Sequence, residues 1–201
     1  MRKYRNWENI KAAPEYQALP AGGYICRIMG AEVKTFQRRD GGSFEQFQIS
    51  LDIAEGEYKD HYAQEYRAQN TEDKRWKGVL RLYLPDESGT DQDNFTASRL
   101  KAAIEAIEDS NSGYHWDWDE RKLKGKLVGC LFRLEEWSFD GRTGWKTQPF
   151  KLLSAARIRE GKFQIPKDKP LKDNRQPVKA PGAASLLDEG SEIVSDDDLP
   201  F

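Results

Sequence analysis

Two glycine-rich turns of this chain carry basic and aromatic side chains side by side. The first, QRRDGGSF, spans residues 37–44, and the second, SFDGRTGW, spans residues 138–145. Cationic side chains follow the phosphates of a single-stranded nucleic acid, and aromatic rings stack on its bases at about 1–3 kcal/mol per base. The two turns therefore predict a surface that binds a single strand, although aromatic residues beside turns also commonly cap a core.

We expect residues before the first turn and on a third strand to extend this surface. The residues predicted to contact a single strand of DNA are Lys34, Phe36, Arg38, Arg39, Phe44, Arg81, Tyr83, Trp137, Phe139, Arg142, Trp145 and Lys146. Three other tryptophans, Trp7, Trp116 and Trp118, are interpreted as structural.

A different chemistry is suggested by YHWDWDE, which places His115, Asp117, Asp119 and Glu120 close together in the sequence. A metal-dependent nuclease holds its divalent ion with carboxylates of this kind. No second cluster matches this one, and a loop would leave these side chains in solvent. The chain also has no P-loop, GxGxxG, CxxC or convincing Ser–His pairing. We therefore expect no catalytic residue, metal or cofactor, with a nuclease kept as an alternative.

The cysteine content and the hydropathy of the chain point to the cytoplasm. Two cysteines, Cys26 and Cys130, do not provide a disulfide framework, and reduced thiols are the rule in the cytosol. They are expected to form a buried apolar pair if the first and fourth strands are neighbours. No apolar run is long enough to span a membrane, and the N-terminus lacks the apolar region of a signal peptide.

The elements that position the two turns are mostly strands, because apolar and polar residues alternate along them. The predicted strands cover residues 22–37, 44–54, 76–85, 122–137 and 145–158, and a helix is predicted for residues 93–111. Residues 55–75 are polar, with some helical character. The order β-β-β-α-β-β is that of the OB-fold, a five-stranded Greek-key barrel that binds oligonucleotides beside its first-to-second and fourth-to-fifth strand loops. We therefore predict a mainly β protein with one OB-fold over residues 21–165, preceded by an N-terminal extension, residues 1–20.

The C-terminal part of the chain differs from this body in composition and charge. Residues 166–201 hold five of the nine prolines and show little apolar periodicity, which predicts a disordered linker. Six acidic and no basic residues follow residue 187. Because the whole chain has 32 basic and 34 acidic residues, residues 1–187 carry a net charge of +4. A mildly basic body is thus joined to an acidic end.

The chain ends in an acidic peptide with a terminal aromatic residue: Asp196, Asp197, Asp198, Leu199, Pro200 and Phe201. A terminal ring with its α-carboxylate offers an apolar anchor and a charge at one point, which is a known mode of peptide capture. This tip resembles that of the bacterial single-stranded DNA-binding proteins (SSBs), whose chains end in aspartates, an aliphatic residue, proline and phenylalanine. The resemblance implies that the tip recruits replication, recombination and repair enzymes.

The body is more similar to the SSB-like proteins that bacteriophages encode. The segments that carry this similarity are residues 6–28 and the stretch from residues 125–137 to residues 154–163. The resemblance implies sequence-independent binding of single-stranded DNA in a host bacterial cytoplasm, and it leaves the oligomeric state open. A protein-only adaptor and a strand-annealing recombinase remain alternatives, along with the nuclease.

Overall fold

The computed structural model describes residues 18–38 and 41–171, together with Arg5. Its strands are β1 (Gly22–Gln37), β2 (Ser43–Ile53), β3 (Val79–Tyr83), β4 (Leu127–Phe139) and β5 (Arg142–Leu153). Its helices are α1 (His61–Ala68), α2 (Asp91–Ser110) and α3 (Ala155–Arg159), with a 3₁₀ turn at Glu120–Leu123. The prediction of a mainly β protein with five strands is confirmed.

The five strands form one antiparallel sheet in the order β3-β2-β1-β4-β5. The strand β1 lies in the middle and pairs with β2 along most of its length and with β4 at its N-terminal end. Residues of the two outermost strands, β3 and β5, nevertheless lie within 8 Å of each other between Cα atoms. The sheet therefore curls until its two edges approach.

The core lies on the inner face of this curled sheet, as the alternation of the strands predicted. Its strand residues, all at most 5% exposed, are Cys26, Ile28, Phe47, Ile49, Leu51, Ile53, Leu80, Leu82, Val128, Cys130, Phe132 and Leu152. The helix α2 packs Ala103, Ala106 and Ile107 against them. It begins at Asp91 because the hydroxyl of Thr90 accepts a hydrogen bond from the N–H of Asp93, at 3.1 Å.

Both cysteines are buried and free, on the neighbouring strands β1 and β4. Burial raises the pKa of Cys26, and the nearby Cys130 raises it further. A thiol in this state packs as a small apolar side chain, which is the predicted role.

The end of the fifth strand was predicted wrongly. The strand β5 ends at Leu153, and residues 155–158, which were predicted to be the end of this strand, belong to α3 instead. This helix covers the outer face of the sheet, where Ile158 packs with Ile25, Leu131 and Leu153 in a second apolar cluster. Because α3 covers this face, β4 is buried on both sides over residues 128–133.

Gly129 of β4 has no side chain, which lets α3 pack directly against this strand. A Cβ atom at this position would lie 2.5 Å from Cγ1 of Ile158 and 2.8 Å from the carbonyl oxygen of Leu153. We expect Gly129→Ala to lower the free energy of unfolding by about 1–3 kcal/mol, as overpacked positions do. Gly30→Ala is the matched control, because a Cβ atom at Gly30 of β1 has no neighbour within 4 Å. Urea unfolding of both variants measures the difference, and equal stabilities would contradict this account.

The helix α1 begins on a buried carboxylate. Asp52, 4% exposed, accepts hydrogen bonds from the N–H groups of Tyr62 at 2.9 Å and Ala63 at 3.2 Å in the first turn of α1. It also accepts one from the N–H of Ile53, at 2.9 Å. Burial raises the pKa of Asp52, and the three backbone donors partly offset this increase. This carboxylate ties the polar segment after β2 to the sheet.

The described chain extends beyond Pro166, where the linker was predicted to begin. Lys169 forms a parallel bridge with Glu135 of β4. Its N–H donates to the carbonyl of Leu134, and its carbonyl accepts from the N–H of Glu136, each at 2.8 Å. Lys169 and Leu171 therefore lie beside β4, whereas residues 172–201, with the acidic tip, lie outside the described residues.

Within the part of the chain that the structure describes, no helix is both long and apolar enough to cross a bilayer. Most of the predicted N-terminal extension lies outside that part, since only Arg5 and residues 18–20 of it are described.

Candidate nucleic-acid interface

Three aromatic rings form a continuous row across β1, β2 and β3, on the face opposite the core. Phe36 and Phe44 are cross-strand partners, and their rings stack with centroids 5.4 Å apart and planes at 19°. The ring of Phe44 also contacts that of Tyr83, at 5.5 Å and 49°. Side chains of alternate residues share a face of a sheet, so the register of the three strands aligns the rings. We call these three residues the aromatic strip.

Basic side chains border the aromatic strip. The guanidinium carbon of Arg38 lies 5.6 Å from the centroid of Phe44. On the same face, Lys34 precedes Phe36 by two residues on β1, and Arg81 precedes Tyr83 by two residues on β3. Lys34 forms a 2.8 Å ion pair with Glu32, but both side chains are exposed, so the pair is weak and a phosphate can compete with it.

Two glutamines of β2 lie on this face: Gln48 is half-buried, whereas Gln46 is only 8% exposed and lies beneath the surface. Gln46 lies opposite both Lys34 and Tyr83, and the side-chain amide of Gln48 donates to the side-chain oxygen of Gln46 at 2.8 Å. The alternation of β2 had already placed both side chains on the face opposite the core. This alternation was the signal that could have added Gln48 to the predicted contact residues.

The remaining predicted residues lie on the β4–β5 hairpin, whose turn is Asp140-Gly141 with φ of 50° and 73°. They are Trp137, Phe139, Arg142, Trp145 and Lys146. The ring of Phe139 is 78% exposed. Trp137 is half-buried over Gly144, where a Cβ atom would lie 3.0 Å from the indole. This hairpin therefore presents an exposed ring and two exposed cations to solvent.

The register separates the two groups of residues. The ladder between β1 and β4 runs from Gly22 opposite Phe132 to Arg27 opposite Leu127. The β1–β2 hairpin extends beyond the Arg27 end of this ladder, and the β4–β5 hairpin extends beyond the Gly22 end. The structure thus brings Lys34, Phe36, Arg38, Phe44, Arg81 and Tyr83 together and places the other five on a separate hairpin. Arg39 lies outside the described residues.

Two of the three carboxylates considered for a metal site, Asp117 and Asp119, have other partners. Asp117 pairs with Lys122, which lowers the pKa of Asp117. Asp119 accepts from the N–H of Arg121 at the start of the 3₁₀ turn, at 3.1 Å. His115 is exposed and lies 4.0 Å from Glu108. Over residues 18–38 and 41–171, no three His, Cys, Asp or Glu side chains are arranged to hold a metal ion.

The two tryptophans of the same loop differ in burial. Trp116 packs against Phe47 of the core with ring centroids 6.3 Å apart, as expected of a structural residue. Trp118 has a φ of 65° and is 79% exposed. Its ring contacts that of Trp116 at 6.2 Å. The burial of Trp118 therefore does not support the structural role that was predicted for it.

No protein-family model matches this chain, and no curated protein matches it. The aromatic strip and its basic border are the features of the described residues that point to a function.

Proposed function

We propose that this protein binds single-stranded DNA without sequence preference and that the aromatic strip is the surface on which bases stack. The observation that carries the proposal is the contact of three half-exposed rings across three strands, bordered by Lys34, Arg38 and Arg81. Every base has a π face, so rings of this kind bind a strand with little regard to sequence. The cations beside them would follow the phosphates.

We propose further that the curled sheet is an OB-fold barrel. The support is the pairing of β1 with both β2 and β4, the approach of β3 to β5, and the position of α2 between β3 and β4 in the chain. A five-stranded Greek-key barrel would have this strand order and would bring the same two edge strands together. Its outer face would then carry the strip, as in barrels that bind oligonucleotides.

The acidic tip is proposed to recruit replication, recombination and repair enzymes in a host bacterial cytoplasm. The support for this is the sequence Asp196–Phe201, in which three carboxylates precede a leucine, a proline and an aromatic ring. Such a peptide suits an apolar pocket with a basic rim.

The first experiment is a titration with a labelled oligo-dT strand at two salt concentrations. Fluorescence anisotropy reports total binding, and quenching of tryptophan reports contact outside the aromatic strip, which contains no tryptophan. We expect saturable binding that weakens with salt, because released counterions accompany phosphate contacts. Absence of binding at low salt would overturn the proposal and leave the protein-only adaptor. Cleavage of the strand that requires Mg²⁺ would favour the nuclease, and pairing of complementary strands would indicate annealing.

Deletion of residues 188–201 is expected to tighten binding to oligo-dT. The deleted segment carries six acidic residues and no basic one, and it is attached to a body of charge +4. Its charges compete with DNA phosphates for the same positive field. The gain should be larger at low salt, where screening is weak. A deletion variant with unchanged affinity at low salt would contradict this competition.

A further inference from the structure

A groove between β3 and the N-terminal half of α2 continues the aromatic strip. Its lining includes Arg81 and Tyr83 from β3 and Gln92, Phe95, Thr96 and Arg99 from α2. Tyr83 belongs to both surfaces, because its ring also contacts Phe44 of the strip. The groove is therefore reached from the strip without leaving the protein surface.

The groove combines exposed rings with cations, which is the chemistry that a nucleotide needs. Tyr83 is 36% exposed and Phe95 is 38% exposed. Thus each ring has a surface that a base can cover. The guanidinium carbon of Arg99 lies 5.9 Å from the centroid of Phe95. A base on Phe95 would therefore bring its phosphate near a positive charge.

The electrostatics of the groove favour an anion. Burial lowers the pKa of Arg99, and the positive charge of Arg133 lowers it further. A phosphate beside Arg99 would offset both costs. Arg133 is 7% exposed and is held by Glu135, through hydrogen bonds of 3.1 and 3.0 Å. The guanidinium group of Arg133 is thus fixed in position by Glu135.

The two acidic residues in the first turn of α2, Asp91 and Asp93, are exposed to solvent or held by other partners. Asp93 directs one carboxylate oxygen to the N–H of Asp86, at 2.8 Å, and the other to the N–H of Gly89, at 3.1 Å. Its carboxylate is thus engaged by the loop before α2. Asp91, in the first turn, is exposed to solvent, which screens its charge.

On the basis of the proposed DNA binding, we propose that this groove is a further nucleotide subsite of the same surface. It takes the nucleotide of a single strand that follows those stacked on the aromatic strip. The base stacks on Phe95, and the phosphate binds Arg99. A free nucleoside phosphate offers the same groups, but the shared Tyr83 favours a strand that runs from the strip into the groove.

The test compares Phe95→Ala and Arg99→Gln with the wild-type protein on oligo-dT strands of increasing length, at several salt concentrations. Phe95→Ala is expected to bind oligo-dT about 5- to 150-fold more weakly than the wild-type protein, because it loses one stacked base. The slope of log K against log salt should stay unchanged. Arg99→Gln should reduce the slope of log K against log salt by about 0.7, the value for one phosphate contact on a single strand. Both losses should appear only with strands long enough to reach α2.

The matched control is Lys101→Ala, which removes a charge from the same helix outside the groove. Lys101 is 78% exposed and lies 3.8 Å from Glu105. It should keep the wild-type affinity and slope. Phe95→Trp and Arg99→Lys should restore stacking and charge respectively, which separates a contact from a loss of folding. Thermal melting of each variant checks the fold.

The outcomes distinguish the subsite from the proposed function. If oligo-dT binds, Phe44→Ala weakens it, and Phe95→Ala and Arg99→Gln do not, the subsite is overturned and DNA binding stands. If dTTP binds the wild-type protein and Arg99→Gln abolishes that binding while leaving oligo-dT affinity unchanged, the groove is a free-nucleotide site and the subsite is overturned. If no oligo-dT binds the wild-type protein, both proposals fail.

Discussion

Replacing Phe44 by alanine is expected to weaken the binding of oligo-dT by about 5- to 150-fold, the equivalent of 1–3 kcal/mol for one stacked base. Phe44 is the central ring of the aromatic strip, 5.4 Å from Phe36 and 5.5 Å from Tyr83. Arg38 also lies over it, at 5.6 Å. The substitution therefore removes a stacking surface and the support of its two neighbours. No other single ring of the strip contacts both partners, so the effect should be the largest there.

Anisotropy of a labelled strand at two salt concentrations measures this effect. The salt slope should stay near that of the wild-type protein, because no charge is removed. Trp118→Ala is the control for loss of an exposed ring, since Trp118 is 79% exposed and lies on a different loop. Phe44→Tyr should retain most of the affinity. If Phe44→Ala binds oligo-dT as tightly as the wild-type protein does, the strand does not stack on the aromatic strip.

Asp52→Ala is expected to lower the free energy of unfolding by about 3 kcal/mol, the largest effect on stability among the substitutions considered. The carboxylate is 4% exposed and accepts from three backbone N–H groups, two of them in the first turn of α1. Buried donors without an acceptor cost about 1–3 kcal/mol each, and partial access to water reduces the sum. Urea unfolding measures the loss, with Asp109→Ala as the control, because Asp109 is exposed on α2.

The pH dependence of the free energy of unfolding separates the effect of the charge of Asp52 from that of its hydrogen bonds. Burial raises the pKa of Asp52 above its value in the unfolded chain. The folded protein therefore binds the carboxyl proton of Asp52 more tightly than the unfolded chain does. The stabilising effect of this proton is complete below the unfolded pKa of about 3.9. It is lost as the pH rises through the folded pKa. Asp52→Asn should remove this part of the pH dependence and cost less than Asp52→Ala. Identical pH profiles would contradict the assigned cause.

The inner faces of the strands could be predicted from the alternation of apolar and polar residues alone. Alternation in β2 identified Phe47, Ile49, Leu51 and Ile53, all of which are buried. This works because a strand has a fixed period of two, so burial of one residue implies burial of the next but one. The helix α2 was predicted for the same kind of reason, since its apolar residues recur at the period of a helix. The composition of the acidic tip is likewise a property of the sequence.

The way in which these faces meet depends on contacts that no single segment of the sequence specifies. The aromatic strip depends on the register of three strands, which sets Phe36 opposite Phe44 and Tyr83 opposite Gln46. A shift of one residue would turn each ring to the other face. The end of β5 depended on contacts too, because α3 forms where Ile158 can pack over Gly129. The groove of Arg99 and Phe95 exists only because α2 folds back against β3. Periodicity describes one element at a time, whereas pairing and packing depend on residues far apart in the chain.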